Sequence, residues 1–122
     1  FIAQSKIIRD LAEKSSCVII GRCADYILRD NPHCMNLFVH ADLDFRIKHA
    51  SEKYGIAHEN AASEISKMDK QRKNHYQRYT DRRWGDAKNF HASVNSGVFG
   101  IDATVKCVVD LAKGFLSLEP EE

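Results

Sequence analysis

The sequence predicts an α/β layer fold built on a parallel sheet, and three observations point to it. CVII at 17–20 and MNLFVH at 35–40 are short apolar runs without polar alternation, the pattern of strands buried on both faces. Each is followed by a helical pattern, and a third apolar stretch, Phe90 to Asn95, precedes another helix. Strands separated by helices join as right-handed crossovers between parallel neighbours.

Each element has its own signal along the chain. From Ile2 to Lys14, the residues Ile2, Ile8, Leu11 and Ala12 share one face while Gln4, Arg9, Asp10 and Glu13 take the others, which describes a surface helix. Gly21 ends the first strand. A helix from about Arg22 to Arg29 turns Ala24, Ile27 and Leu28 inward and stops at Asn31-Pro32. After the second strand, Asp42 is placed to cap a helix over Leu43 to Tyr54, and Gly55 to terminate it. A long, increasingly polar segment runs from about Glu59 to Arg82 and breaks at WGDAKN. A last helix, Ile101 to Phe115, places Val105, Val108, Val109 and Ala112 inward, and the EPEE tail is expected to fray.

Composition narrows the function classes. The chain has 122 residues, 43% hydrophobic and 29% charged, which suits one soluble domain. Lys and Arg number 18 against 17 Asp and Glu, so no overall field favours nucleic acid or a membrane, and any functional charge is local. No apolar run approaches the roughly 20 residues that cross a bilayer, and no secretory leader pattern opens the chain. Cys17, Cys23, Cys34 and Cys107 form no CxxC pair and no zinc-type spacing with the six histidines; they read as free thiols in a reducing cytoplasm, and no metal ligands are assigned. The chain begins at Phe1 on an apolar helical face, from which we expect the C-terminal part of a longer protein.

Four features could carry chemistry, the last of them Ser93-Val94-Asn95-Ser96-Gly97 at the end of the third strand, either a polar loop at the ligand edge of the sheet or a plain turn. Gly21-Arg22 stands at the carboxyl end of a predicted strand before a helix, where anions bind in open α/β sheets and where an arginine offers a two-pronged donor; a bare turn beside a solvated arginine fits the same residues. In KQRKNHYQRYTDRR, 70–83, six residues are Lys or Arg and only Asp81 is acidic. There Ile65, Asp69, Arg72, Tyr76 and Tyr79 fall on one stripe, which suits a helix anchored at its start whose far end reaches over an anion, or equally a solvated basic end packing its tyrosines on a neighbour. Trp84-Gly85-Asp86 breaks that helix, and Trp84 is either a packing plug or a stacking surface.

In combination, GRCADYILRD after CVII, NLFVHADLDFRIKHASEKYGI, and DKQRKNHYQRYTDRRWGDAKNF with VNSGVFGID resemble the cytidylate kinase-like family of P-loop nucleoside monophosphate kinases, from about Phe1 to Lys113. The resemblance implies a P-loop NTPase-like three-layer sandwich, ATP with Mg2+ as donor, and phosphoryl transfer to a nucleoside monophosphate, cytidylate first. It implies that Gly21, Arg22 and Asp25 bind the acceptor. It also implies a lid over about 69–90, with Asp69 and Asn89 toward substrate and Arg72, Arg82 and Arg83 as its catalytic cations. Ser96 matches a further polar position. Two departures stand out: Cys23 replaces the aspartate of GRD, and no GxxxxGK[ST] occurs. The fold is therefore expected to be a single partial domain, 1–122, lacking its N-terminal P-loop strand, within a protein of about 200 residues. In that case this chain alone is inactive. Two other readings stay open: a kinase-fold protein that binds or regulates without catalysis, and a nucleic-acid module that tracks phosphates with 70–83 and stacks bases on Tyr76, Tyr79 and Trp84. The balanced net charge weighs against the latter, and oligomeric state is not legible.

Overall fold

A computed structural model describes residues 1–118. Leu37–His40 (β1) and Ala92–Asn95 (β2) pair in parallel, with Leu37 opposite Ala92 and His40 opposite Asn95. The parallel sense needs a long crossover, which the intervening helices supply. At the carboxyl ends of the strands, the Ser96 hydroxyl donates to the His40 carbonyl at 3.3 Å, and Asn95 Oδ1 accepts the amides of Gly97 and Val98. Phe38 of β1 meets Trp84 edge-on at 5.5 Å and Phe90 at 5.1 Å.

The crossover contains Leu43–Tyr54 (α3) and His58–Thr80 (α4). Asp42 occupies the N-terminal cap position of α3, but its side chain accepts no cap hydrogen bond; Gly55 ends α3 at φ +66°, as its place in the sequence predicts. The two helices pack together, and Ala50, Ala61 and Ile65 are buried. A second cluster joins Ile2–Lys14 (α1), the single turn Ala24–Ile27 (α2) and the far end of α4: Ile8, Cys23, Ala24, Ile27, Leu28 and Tyr76 are buried together, with Ile19 and Trp84 against them. Phe1 stacks on Tyr79 of α4 at 4.5 Å.

Four expectations are corrected. Cys17 to Ile20 is extended but belongs to no sheet, with Val18 92% and Ile20 88% exposed and Ile19 alone reaching the cluster. A strand exists only through a ladder partner, and none of the described residues pairs with this segment. The helix expected from Arg22 to Arg29 contracts to α2, because Gly21, Arg22 and Cys23 all adopt left-handed φ values of +67°, +62° and +57°. Ile2 and Leu11 of α1 are exposed, Ile8 and Ser5 being the residues it buries. Ile101–Leu116 (α6) runs as expected, but Val105 and Val109 are exposed, since a two-stranded sheet offers too little surface to cover its apolar stripe. The short helix Ser96–Phe99 (α5) is its main neighbour.

The described residues thus form a mixed α/β structure, mostly helical around one parallel strand pair. No helix among them is long and apolar enough to cross a membrane. The expectation for 119–122 lies outside the described residues.

Candidate functional site

The Gly21-Arg22-Cys23 turn is held from both sides. Gly21 adopts its positive φ freely, but Arg22 and Cys23 each incur a steric cost of about 1–2 kcal/mol. Burial of Cys23 and Ala24 offsets that strain, together with amide donation from Ala24 to the Gly21 carbonyl and from Tyr26 and Ile27 to the Cys23 carbonyl. The Arg22 side chain stays exposed while its backbone is pinned. Burial, and then the charge of Asp25, push the Cys23 thiol above its ordinary range, so Cys23 remains a protonated core residue.

Asp25 and Tyr26 lie on α2 and engage two different parts of the basic segment. The Tyr76 hydroxyl donates to Asp25 Oδ2 at 2.6 Å. Tyr76 is only 5% exposed; burial and this hydrogen bond raise its pKa well above the usual phenol range, while Arg82 nearby opposes the rise. The Tyr26 ring carries two guanidinium groups, Arg29 at 4.0 Å and Arg82 at 5.0 Å from its centre. Between Tyr76 and Arg82, α4 ends at Asp81 with φ +56°. The Thr80 hydroxyl donates to the Tyr76 carbonyl at 2.6 Å and accepts the Arg82 amide at 3.1 Å. Arg83 is exposed just beyond.

Asp69 lies farther back on α4, where Arg46 of α3 holds it through two hydrogen bonds of 2.6 and 2.7 Å. Those bonds hold its carboxyl below the ordinary carboxylate range. Arg72 approaches the same carboxylate at only 3.5 Å and is half exposed, so its guanidinium remains available to a ligand. Asn89 closes the short turn Ala87–Asn89, which Asp86 starts by accepting the Lys88 amide; the Asn89 Nδ2 donor is buried without a partner.

The predicted residues therefore divide. Gly21, Arg22, Asp25 and Arg82 are linked through α2, while Asp69 and Arg72 share a carboxylate with Arg46. Asp25 and Asp69, expected toward substrate, are both engaged within the protein. The far end of α4 is anchored rather than free: Ala61 and Ile65 bury its start, Tyr76 and Thr80 its end, and Lys70 to His75 between them are exposed. Trp84 is a plug on Phe38, and with Tyr76 buried and Tyr79 stacked on Phe1, no row of free aromatic faces accompanies the basic residues. Arg46 and Tyr26 carry no distinguishing signal in the sequence, because their roles depend on partners distant along the chain.

No curated protein matches the chain. A solved structure, described as an uncharacterized protein from Eubacterium ventriosum, is 33% identical and superposes with a TM-score of 0.86 over 93% of this chain and 64% of that one. The chain thus spans less than two thirds of that relative's length. The model of the cytidylate kinase-like family matches residues 1–98, which hold the GR turn, the whole of α4 and both strands. On that match, the chain belongs to the cytidylate kinase-like family.

Proposed function

We propose that this chain carries the acceptor side of an ATP-dependent kinase of P-loop NTPase-like fold that passes a phosphoryl group to a nucleoside monophosphate, cytidylate first. Phosphoryl transfer depends on positioning and charge neutralisation, which calls for cations from separate elements around one oxyanion. The observation that carries the reading is the 2.6 Å hydrogen bond between Asp25 and Tyr76, which ties the Gly21-Arg22 turn to the helix end beyond which Arg82 and Arg83 lie. Arg22 is the acceptor-phosphate contact in this reading, and Arg72, Arg82 and Arg83 are the lid cations.

The donor side does not fit these residues. They include no GxxxxGK[ST], and among the described residues no group of three or more His, Cys, Asp or Glu could hold a metal ion. ATP and Mg2+ would be held by groups outside this stretch. A second reading, a kinase-fold protein that binds without transferring, draws support from one feature: Cys23 is buried and Asp25 engaged, so neither residue flanking Ala24 is offered to an acceptor. ADP release by the full-length protein against a panel of monophosphates separates the two. Release with at least one of them is expected, and CMP should be the best. Release with none overturns the catalytic reading.

A further inference from the structure

We propose that Tyr76 is a positioning residue: its hydroxyl, seated on Asp25, fixes the angle of α4 so that Arg22 and Arg82 are presented by one rigid unit. This rests on the acceptor-site reading above and adds the device that keeps its two cationic parts in register. Helix α4 is 23 residues long and exposed through its middle, so its far end needs an anchor of its own. Apolar packing at that end resists separation but only weakly resists rotation about the helix axis, because dispersion contacts carry little directional preference. A buried hydrogen bond is directional and strengthened by low local dielectric, so a 2.6 Å bond from a tyrosine 5% exposed selects one azimuth.

The residues C-terminal to Tyr76 make that azimuth consequential. Thr80 ties the Tyr76 carbonyl to the Arg82 amide through its hydroxyl, so rotation at Tyr76 is passed to the backbone of Arg82. The Arg82 guanidinium then lies over Tyr26, the residue adjacent to Asp25 on the same helical turn. Two contacts from consecutive residues of α2 therefore hold the helix end and the cation beyond it. The Gly21-Arg22-Cys23 turn is joined to α2 by the hydrogen bonds that the Ala24, Tyr26 and Ile27 amides donate to the Gly21 and Cys23 carbonyls. On this account, Asp25 contributes to the site through Tyr76 and touches no ligand.

The test uses full-length protein with Tyr76→Phe, Asp25→Asn and both together. Phenylalanine keeps the buried ring and removes only the hydroxyl. Loss of one charge-assisted hydrogen bond should raise the KM for CMP about tenfold and lower the melting temperature by several degrees, with the KM for ATP near its original value. Asn at 25 keeps an oxygen that can accept from Tyr76, so Asp25→Asn should have the smaller effect, and the double variant should match Tyr76→Phe, since that change alone removes the interaction. Independently of turnover, amide exchange at Ile27 and Arg82 should accelerate together, while the amides of the β1–β2 ladder stay unchanged. An unchanged KM for CMP in an active protein, or exchange at Ile27 and Arg82 that is unaltered or rises equally with the ladder, overturns the proposal. If the full-length protein transfers phosphate to no monophosphate, the acceptor-site reading fails, and the exchange measurement still decides whether Tyr76 couples the two elements.

Discussion

Arg46 and Asp69 meet through two parallel hydrogen bonds of 2.6 and 2.7 Å, fork to carboxylate, and so clamp α3 to the middle of α4. This pair turns the exposed stretch of α4 into a span supported before and after, since the buried Tyr76 anchors it again closer to its C-terminal end.

Asp69→Asn should lower stability by about 0.5–1 kcal/mol at neutral pH, a modest value because both side chains remain partly exposed. The folded pKa of Asp69 is depressed by the Arg46 hydrogen bonds, so its contribution is complete above the unfolded value of about 4 and is lost as pH falls through the lower folded value. Thermal melts of wild type and variant should therefore differ at pH 7 and converge toward pH 3. A gap that stays constant over that range would contradict the pairing.

Arg72→Ala should separate function from fold. The side chain is 52% exposed and only loosely paired with Asp69, so stability should change by less than about 0.5 kcal/mol. Removing a cation that neutralises developing phosphoryl charge should reduce kcat of the full-length enzyme about a hundredfold. If turnover survives, Arg72 is no lid cation.

Gly85→Ala tests the plug beneath the sheet. Gly85 has φ +82°, and a Cβ there would stand 3.3 Å from the Phe38 ring that Trp84 also packs against. Left-handed backbone costs an alanine about 1 kcal/mol, and ring displacement adds to it, for a total loss of about 1–3 kcal/mol in chemical denaturation. A neutral substitution would show that the Phe38–Trp84 contact is looser than its geometry.

Much of the fold is legible along the chain. Ile2–Lys14 follows from apolar spacing, although Ile2 and Leu11 of the expected inner face are exposed, and Leu43–Tyr54 from Asp42 at its start and Gly55 as a left-handed stop. The Gly21-Arg22 pair and the basic segment also stand out. What spacing does not contain is the identity of a distant partner. Tyr76 lies on the stripe the sequence draws, yet whether it stacks on a ligand or reaches Asp25, 51 residues away, is decided by tertiary packing. Arg46 and Asp69 are 23 residues apart on different helices, so neither helix alone identifies the pair. Cys17 to Ile20 has the composition of a strand, but pairing is a property of two segments, and the apolar stripe of α6 likewise needs a surface to meet.

The central claim is that Arg22 recognises the phosphate of an acceptor nucleotide. Calorimetric titration of full-length protein with CMP and with cytidine tests it most directly, because the two ligands differ only in that phosphate. Wild type should bind CMP at least tenfold more tightly than cytidine, and Arg22→Ala should remove most of the difference while leaving cytidine affinity unchanged. Equal discrimination by wild type and Arg22→Ala would contradict the account.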